Sequence, residues 1–139
     1  QAPIVGLAEV EKKDLNKFGV MGGDDLGNGE YHIKSFVEKP KIDEAPSNLV
    51  AVGLYIITPA VFAILKNMKT GKSGEIRLAD AFNLMLEQQQ PIYGLKLKGE
   101  WLDTGNKFNF IKATLKLGIK DTEIGSDLKN LIKDMAANL

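Results

Sequence analysis

Between residues 31 and 37 side chains alternate by face: Tyr31, Ile33, Ser35 and Val37 fall on one side, His32, Lys34 and Phe36 on the other. This is the period of a half-buried strand. Pro40 closes it, because proline offers no N–H to a ladder and biases the preceding residue towards extended backbone. Glu38 and Lys39 are therefore expected where the chain leaves the sheet. Upstream, PIVGLAEV (3–10) is a nearly continuous apolar run that needs cover on both faces. Residues 17–21 and the strand ending at Val37 flank GGDDLGNGE (22–30), whose glycine, aspartate and asparagine content predicts a hairpin connection. LVAVGLYIIT (49–58), apolar on both faces, is expected at the centre of a sheet.

Helical spacing begins after it. Thr58-Pro59 predicts an N-cap followed by proline at the first helical position, with Val61, Phe62, Leu65 and Met68 on the apolar face. TGKSG (70–74) breaks that helix ahead of a second one carrying Leu78, Phe82, Met85 and Leu86. IYGLKLKG (92–99) alternates again. A helix over about 107–118 has apolar residues on two sides, Phe108, Ile111 and Leu115 against Phe110, Ala113 and Leu117, and is expected to be buried from two directions. Ser126 is expected to cap a last helix whose stripe of Leu128, Leu131, Ile132, Met135 and Leu139 needs its own core or another subunit as partner. Hairpins mixed with crossovers give the α/β class: a mixed sheet flanked by helices, with no repeat, low-complexity tract or dividing linker.

Composition narrows the chemistry. At 139 residues, 44% hydrophobic and 26% charged, the chain has the size and make-up of one globular domain. Lys plus Arg equals Asp plus Glu at 18 each, so no net field favours nucleic acid or an anionic membrane. Any anion must be held by a local site. Without cysteine there are no disulfides and no thiolate metal sites, and no apolar run is long enough to span a bilayer. A cytoplasmic location, with no signal peptide, is expected.

His32 is the only histidine and is expected to face solvent from mid-strand, which leaves a serine triad or a cysteine pair without support. No glycine-rich phosphate loop is present. GDDLGNG superficially suggests a calcium loop, but twelve positions counted from Asp24 end on Ser35, where a bidentate glutamate is required. Asp24 and Asp25 are read as turn residues.

Three features remain. Glu38, at a strand end, can accept hydrogen bonds from two adjacent sugar hydroxyls, with Lys39 beside it for a phosphate; the alternative is a solvated acid and base before a turn proline. Asp103, in EWLDTG, can hold Mg²⁺ or cap the helix that follows, and a lone carboxylate holds that ion only with waters and substrate phosphates. Gly53 interrupts the most apolar strand, which costs stability unless something approaches the backbone closely or a bulky neighbour packs there.

In order, KFGV, FVEKPKIDEAPSNLVAVGLYIITP, GEIRLADAFNLML and GEWLDTGNKFNFIKATLKLGIKD resemble the C-terminal half of the bacterial UTP–glucose-1-phosphate uridylyltransferase (UDP-glucose pyrophosphorylase) family. VEKP, the A-x-G-x-Y-like strand and WLDTG are shared with sugar-1-phosphate nucleotidyltransferases at large, while APSN, GEI-L-DA and GNK…IKA are similar to the uridylyltransferase branch. Trp101 and Thr104 are closer to the thymidylyltransferase pattern, so another sugar-1-phosphate nucleotidyltransferase, such as a thymidylyltransferase, is the alternative within the same fold.

The resemblance implies a Rossmann-like, glycosyltransferase-A-like nucleotidyltransferase fold, of which residues 1–139 are the C-terminal sugar-phosphate-binding and oligomerisation part. It implies transfer of UMP from UTP to glucose 1-phosphate, with Glu38 on glucose hydroxyls and Lys39 on the phosphate. The backbones of Gly19 and Gly53 would line the sugar pocket, and Asp103 would be one Mg²⁺ ligand. UTP would be held by an N-terminal half that these residues do not include, so this chain is expected to be inactive alone and to form a homo-oligomer. A catalytically silent binding or assembly domain of the same fold is the reading from another class.

Overall fold

The apolar runs become strands wherever a neighbour can cover them. In a computed structural model describing residues 1–70 and 74–139, β1 is Ile4–Glu9, β2 Gly19–Gly27, β3 Glu30–Glu38, β4 Leu49–Ile56 and β5 Tyr93–Lys96. A 3-10 helix, Lys12–Lys17, joins β1 to β2. The helices are α1 Pro59–Asn67, α2 Leu78–Glu87, α3 Lys107–Gly118 and α4 Gly125–Ala137. The break expected at 70–74 lies largely outside the described residues. The chain forms two compact units, Gln1–Gly99 and Glu100–Leu139.

In the first unit, five strands among the described residues pair in the order β1-β4-β2-β3-β5 and close on themselves as a barrel. β1 and β5 are parallel and the other pairings antiparallel, so the sheet is mixed, as the sequence predicts. Closure was not expected; it removes the open edges that a flat sheet would present. Val5, Leu7, Met21 and Ile33 point from the strands into a core completed by Val61 of α1, Phe82 and Met85 of α2, and Ile92. Phe82 sits between the rings of Phe36 and Tyr55, at centroid distances of 6.3 and 5.9 Å.

Several expectations are corrected. Ile33 and Phe36, placed on opposite faces by alternation, are both buried. The cause is a register shift: Gly22 pairs with Ser35 but Gly23 with Ile33, so Lys34 bulges out and the side-chain order inverts. The predicted 22–30 connection shrinks to Asn28-Gly29, at φ 56° and 84°, because residues up to Gly27 pair along the solvated end of the ladder. Lys34 there pairs with Asp24 at 3.2 Å. His32 is half-buried, its ring 5.5 Å from that of Tyr93.

β4 pairs with β1 and β2, but in a closed barrel no strand is central, and only the first half of β4 is covered: Leu49 and Val50 are buried, while Leu54 and Ile56 are 61% and 62% exposed. Thr58 precedes α1 but its side chain makes no capping bond. In the second unit α3 starts at a true cap, the Asn106 side chain accepting from the Asn109 amide at 2.9 Å. α4 begins at Gly125 rather than after Ser126, behind a turn in which Asp121 Oδ1 accepts from the amides of Glu123 and Ile124. α3 packs on α4 near Gly118 and Leu128, but Phe108, Phe110, Ile111 and Leu117 remain exposed, so the expected two-sided burial is not seen.

Candidate functional site

The strand end that carries Glu38 is built by three contacts. Glu38 is the last residue of β3 and pairs with Gly19, the first of β2. A methyl group at Gly19 would meet Phe36 Cζ at 2.7 Å and Glu38 Oε2 at 3.0 Å, so only glycine leaves room for the buried ring and the carboxylate together. One further rung follows, the Lys39 amide donating to the Phe18 carbonyl at 3.0 Å.

There the backbone turns. Lys39 has φ 46°, in the left-handed region and not the extended one expected before Pro40, which is itself buried. An ideal strand sends consecutive side chains to opposite faces. Leaving the extended region at Lys39 ends that alternation directly after Glu38, while both side chains stay exposed.

Tyr55 of β4 is a residue that sequence reasoning missed. Its phenol is held above its ordinary value, first by burial and then by the nearby Glu38 carboxylate. A polar-tipped aromatic two places beyond the glycine of an otherwise apolar strand was the available signal.

Gly53 owes its identity to conformation rather than crowding. Its φ is 77°, and a methyl group there would meet nothing within 4 Å. The β1–β4 register explains the angle: Val5 pairs with Tyr55 and Leu7 with Ala51, so residues 52–54 oppose the single residue Gly6 in a bulge. Gly53 and Tyr55 thus leave a strand that is bent on purpose.

Asp103 belongs to the second unit; Gly19, Glu38, Lys39 and Gly53 belong to the first. Its Oδ1 accepts from the Gly105 amide and its Oδ2 from Asn109 Nδ2, both at 3.0 Å. Asn106 does the capping, so Asp103 braces the turn instead. An ionised carboxylate has about four acceptor positions, and two bonds leave capacity for a hard cation. No group of three or more His, Asp or Glu gathers among the described residues, so the fit to Mg²⁺ is that of a single oriented oxygen donor.

A groove of about 640 Å³ between α1 and α2, lined by Ala63, Ile64 and Met68 among others, contains none of these residues. Among the described residues no helix is long and apolar enough to cross a membrane.

The chain belongs to the nucleotidyl transferase family, whose sequence profile matches residues 1–119. It is 37% identical over 132 residues to the UTP–glucose-1-phosphate uridylyltransferase of Staphylococcus epidermidis, covering 95% of this chain and 46% of that protein. A crystal structure of UDP-glucose pyrophosphorylase complexed with UDP-glucose matches 87% of the chain at 38% identity and a TM-score of 0.80, over 46% of its own length. The UDP-glucose pyrophosphorylase of Acinetobacter baumanii matches 97% of the chain at 28% identity and a TM-score of 0.83, again over 46% of its length. The chain therefore spans about half the length of the relatives it matches.

Proposed function

We propose that this chain supplies the sugar-phosphate half of a cytoplasmic UTP–glucose-1-phosphate uridylyltransferase, which passes UMP from UTP to glucose 1-phosphate and releases pyrophosphate. The observation that carries the reading is the end of β3: a carboxylate backed by Gly19, followed at once by a lysine in left-handed backbone. Glu38 accepts hydrogen bonds from adjacent glucose hydroxyls, and Lys39 neutralises the phosphate that attacks the α-phosphorus of UTP. Gly19 and Gly53 present backbone to the sugar. The names of the relatives support the substrate pair.

Transfer of this kind depends on alignment and charge neutralisation more than on covalent chemistry by the protein. Asp103, oriented by Gly105 and Asn109, would hold Mg²⁺. When bound, that ion neutralises phosphate charge. UTP is bound by residues outside these 139, and α4, with Leu131 and Met135 more than half exposed, pairs subunits in a homo-oligomer.

Titration of the chain with glucose 1-phosphate, followed by amide NMR, tests the core of this. Shifts centred on residues 19, 38, 39 and 53 that vanish in Glu38→Ala and Lys39→Ala are expected; unchanged binding by both variants would overturn it. The chain alone should release no pyrophosphate from UTP and glucose 1-phosphate, whereas turnover near that of the full-length relatives would refute the half-site. Removing residues 126–139 should lower the mass seen by light scattering; an unchanged mass counts against α4 as the subunit contact.

A further inference from the structure

On the near side of the barrel, β2 alone lies between the end of β3, with its acid and base, and β4, with the bulge at Gly53. β2 and β3 share eight registered pairs, whereas β2 and β4 share two, Val20 with Val50 and Met21 with Leu49. This seam has the fewest registered pairs of any in the barrel among the described residues. A slip of one residue along it would carry Gly53 about 3.3 Å past Glu38 and Lys39.

The segment that leaves Pro40 and returns as β4 closes this seam. Ser47, half-buried, donates from Oγ to the Met21 carbonyl at 2.5 Å and accepts from the Leu49 amide at 2.8 Å. One hydroxyl thereby joins a β2 acceptor to a β4 donor, next to the last registered pair. Its neighbours hold the same place: a methyl group at Gly22 would meet Pro46 Cβ at 2.8 Å, and the Val10 amide donates to the Asn48 carbonyl at 3.1 Å. Residues 46, 47 and 48 thus engage β2, β2 with β4, and the end of β1 in succession. A cavity of about 270 Å³ opens beside them, lined by Leu15 of the 3-10 helix, by Ile42, Asp43 and Ala45 of this loop, and by Ser47 itself.

We infer that Ser47 is a positioning residue, its hydroxyl locking β2 to β4 and so setting the placement of Glu38 and Lys39 relative to Gly53. The inference rests on the sugar-phosphate reading for its purpose, but the lock itself is independent of any ligand.

Native-state hydrogen exchange and glucose 1-phosphate titration of the 139-residue chain test it, using Ser47→Ala, Ser47→Thr and, as a control of general destabilisation, Val61→Ala in the core. Ser47→Ala should speed exchange of the Lys39 amide, which donates to Phe18, about tenfold, and weaken glucose 1-phosphate binding about tenfold. Ser47→Thr keeps the hydroxyl and should restore both. Val61→Ala should lower Tm without the tenfold loss of affinity. Equal exchange at Lys39 in Ser47→Ala and wild type overturns the lock, whatever the ligand does. Faster exchange in Ser47→Ala with affinity unchanged overturns its role in the site, as would Val61→Ala losing affinity in proportion to Tm. Wild-type chain that binds no glucose 1-phosphate refutes the functional reading instead, and exchange at Lys39 then decides the lock alone.

Discussion

Two glycines in the candidate site are required for different reasons, and alanine distinguishes them. At Gly53 the space is open and the cost is conformational: φ of 77° in a residue with a Cβ costs about 1–2 kcal/mol, so Gly53→Ala should lower stability by that amount. At Gly19 the backbone is ordinary but the space is taken. Gly19→Ala should cost about 1–3 kcal/mol by overpacking against Phe36 and also move the Glu38 carboxylate. Urea unfolding of both variants, with glucose 1-phosphate binding alongside, checks the pair.

Tyr55 provides a pH readout of the same place. Its phenol is raised above 10.0 by burial and by Glu38, so at high pH the unfolded chain loses this proton before the folded one. The associated stability is complete below 10.0 and is lost as pH climbs through the raised value. Glu38→Gln removes the smaller cause and should bring the Tyr55 ring titration, followed by NMR, part of the way back. A titration unmoved by Glu38→Gln would separate the two groups.

At the scale of elements, caps and bulges decide what periodicity leaves open. Both helix pairs, β1, β3, β4 and β5 were legible as runs of apolar spacing, because burial of one face imposes that spacing whatever the fold, whereas the second half of β2, GGDDLG, was read as a connection. Their ends were less so. Asn106, rather than Asp103, satisfies the first turn of α3, and Asn106→Ala should cost about 1 kcal/mol, seen as lower Tm and faster exchange of the Asn109 amide. The bulges at Lys34 and at 52–54 were invisible to a period-two pattern. The single extra residue at Lys34 shifts every side chain beyond it to the other face, and only the partner strand's register reveals where a bulge falls.

For the whole molecule, the closed sheet of the first unit makes its core depend on a few side chains from α1 and α2. Phe82 is fully buried between Phe36 and Tyr55, and Phe36 is the ring that crowds Gly19. Phe82→Ala should cost about 3–5 kcal/mol and reach the site through Phe36, so denaturant midpoint and glucose 1-phosphate affinity should fall together. Affinity retained in a folded Phe82→Ala variant would show that the site does not lean on this ring stack.

The sequence by itself determined the mixed α/β class, the order of elements, and the acid-base-proline end of β3, because these depend on side-chain type and local backbone limits. It also carried the motifs by which the family is recognised, with family membership then shown over residues 1–119. Only the tertiary structure decided that the sheet closes, that Tyr55 lies by Glu38, that Gly53 serves a bulge opposite Gly6, and that Ser47 bridges β2 and β4. Each of these joins residues far apart in the chain, and which strand lies beside which is set by packing of the entire unit rather than by any one segment.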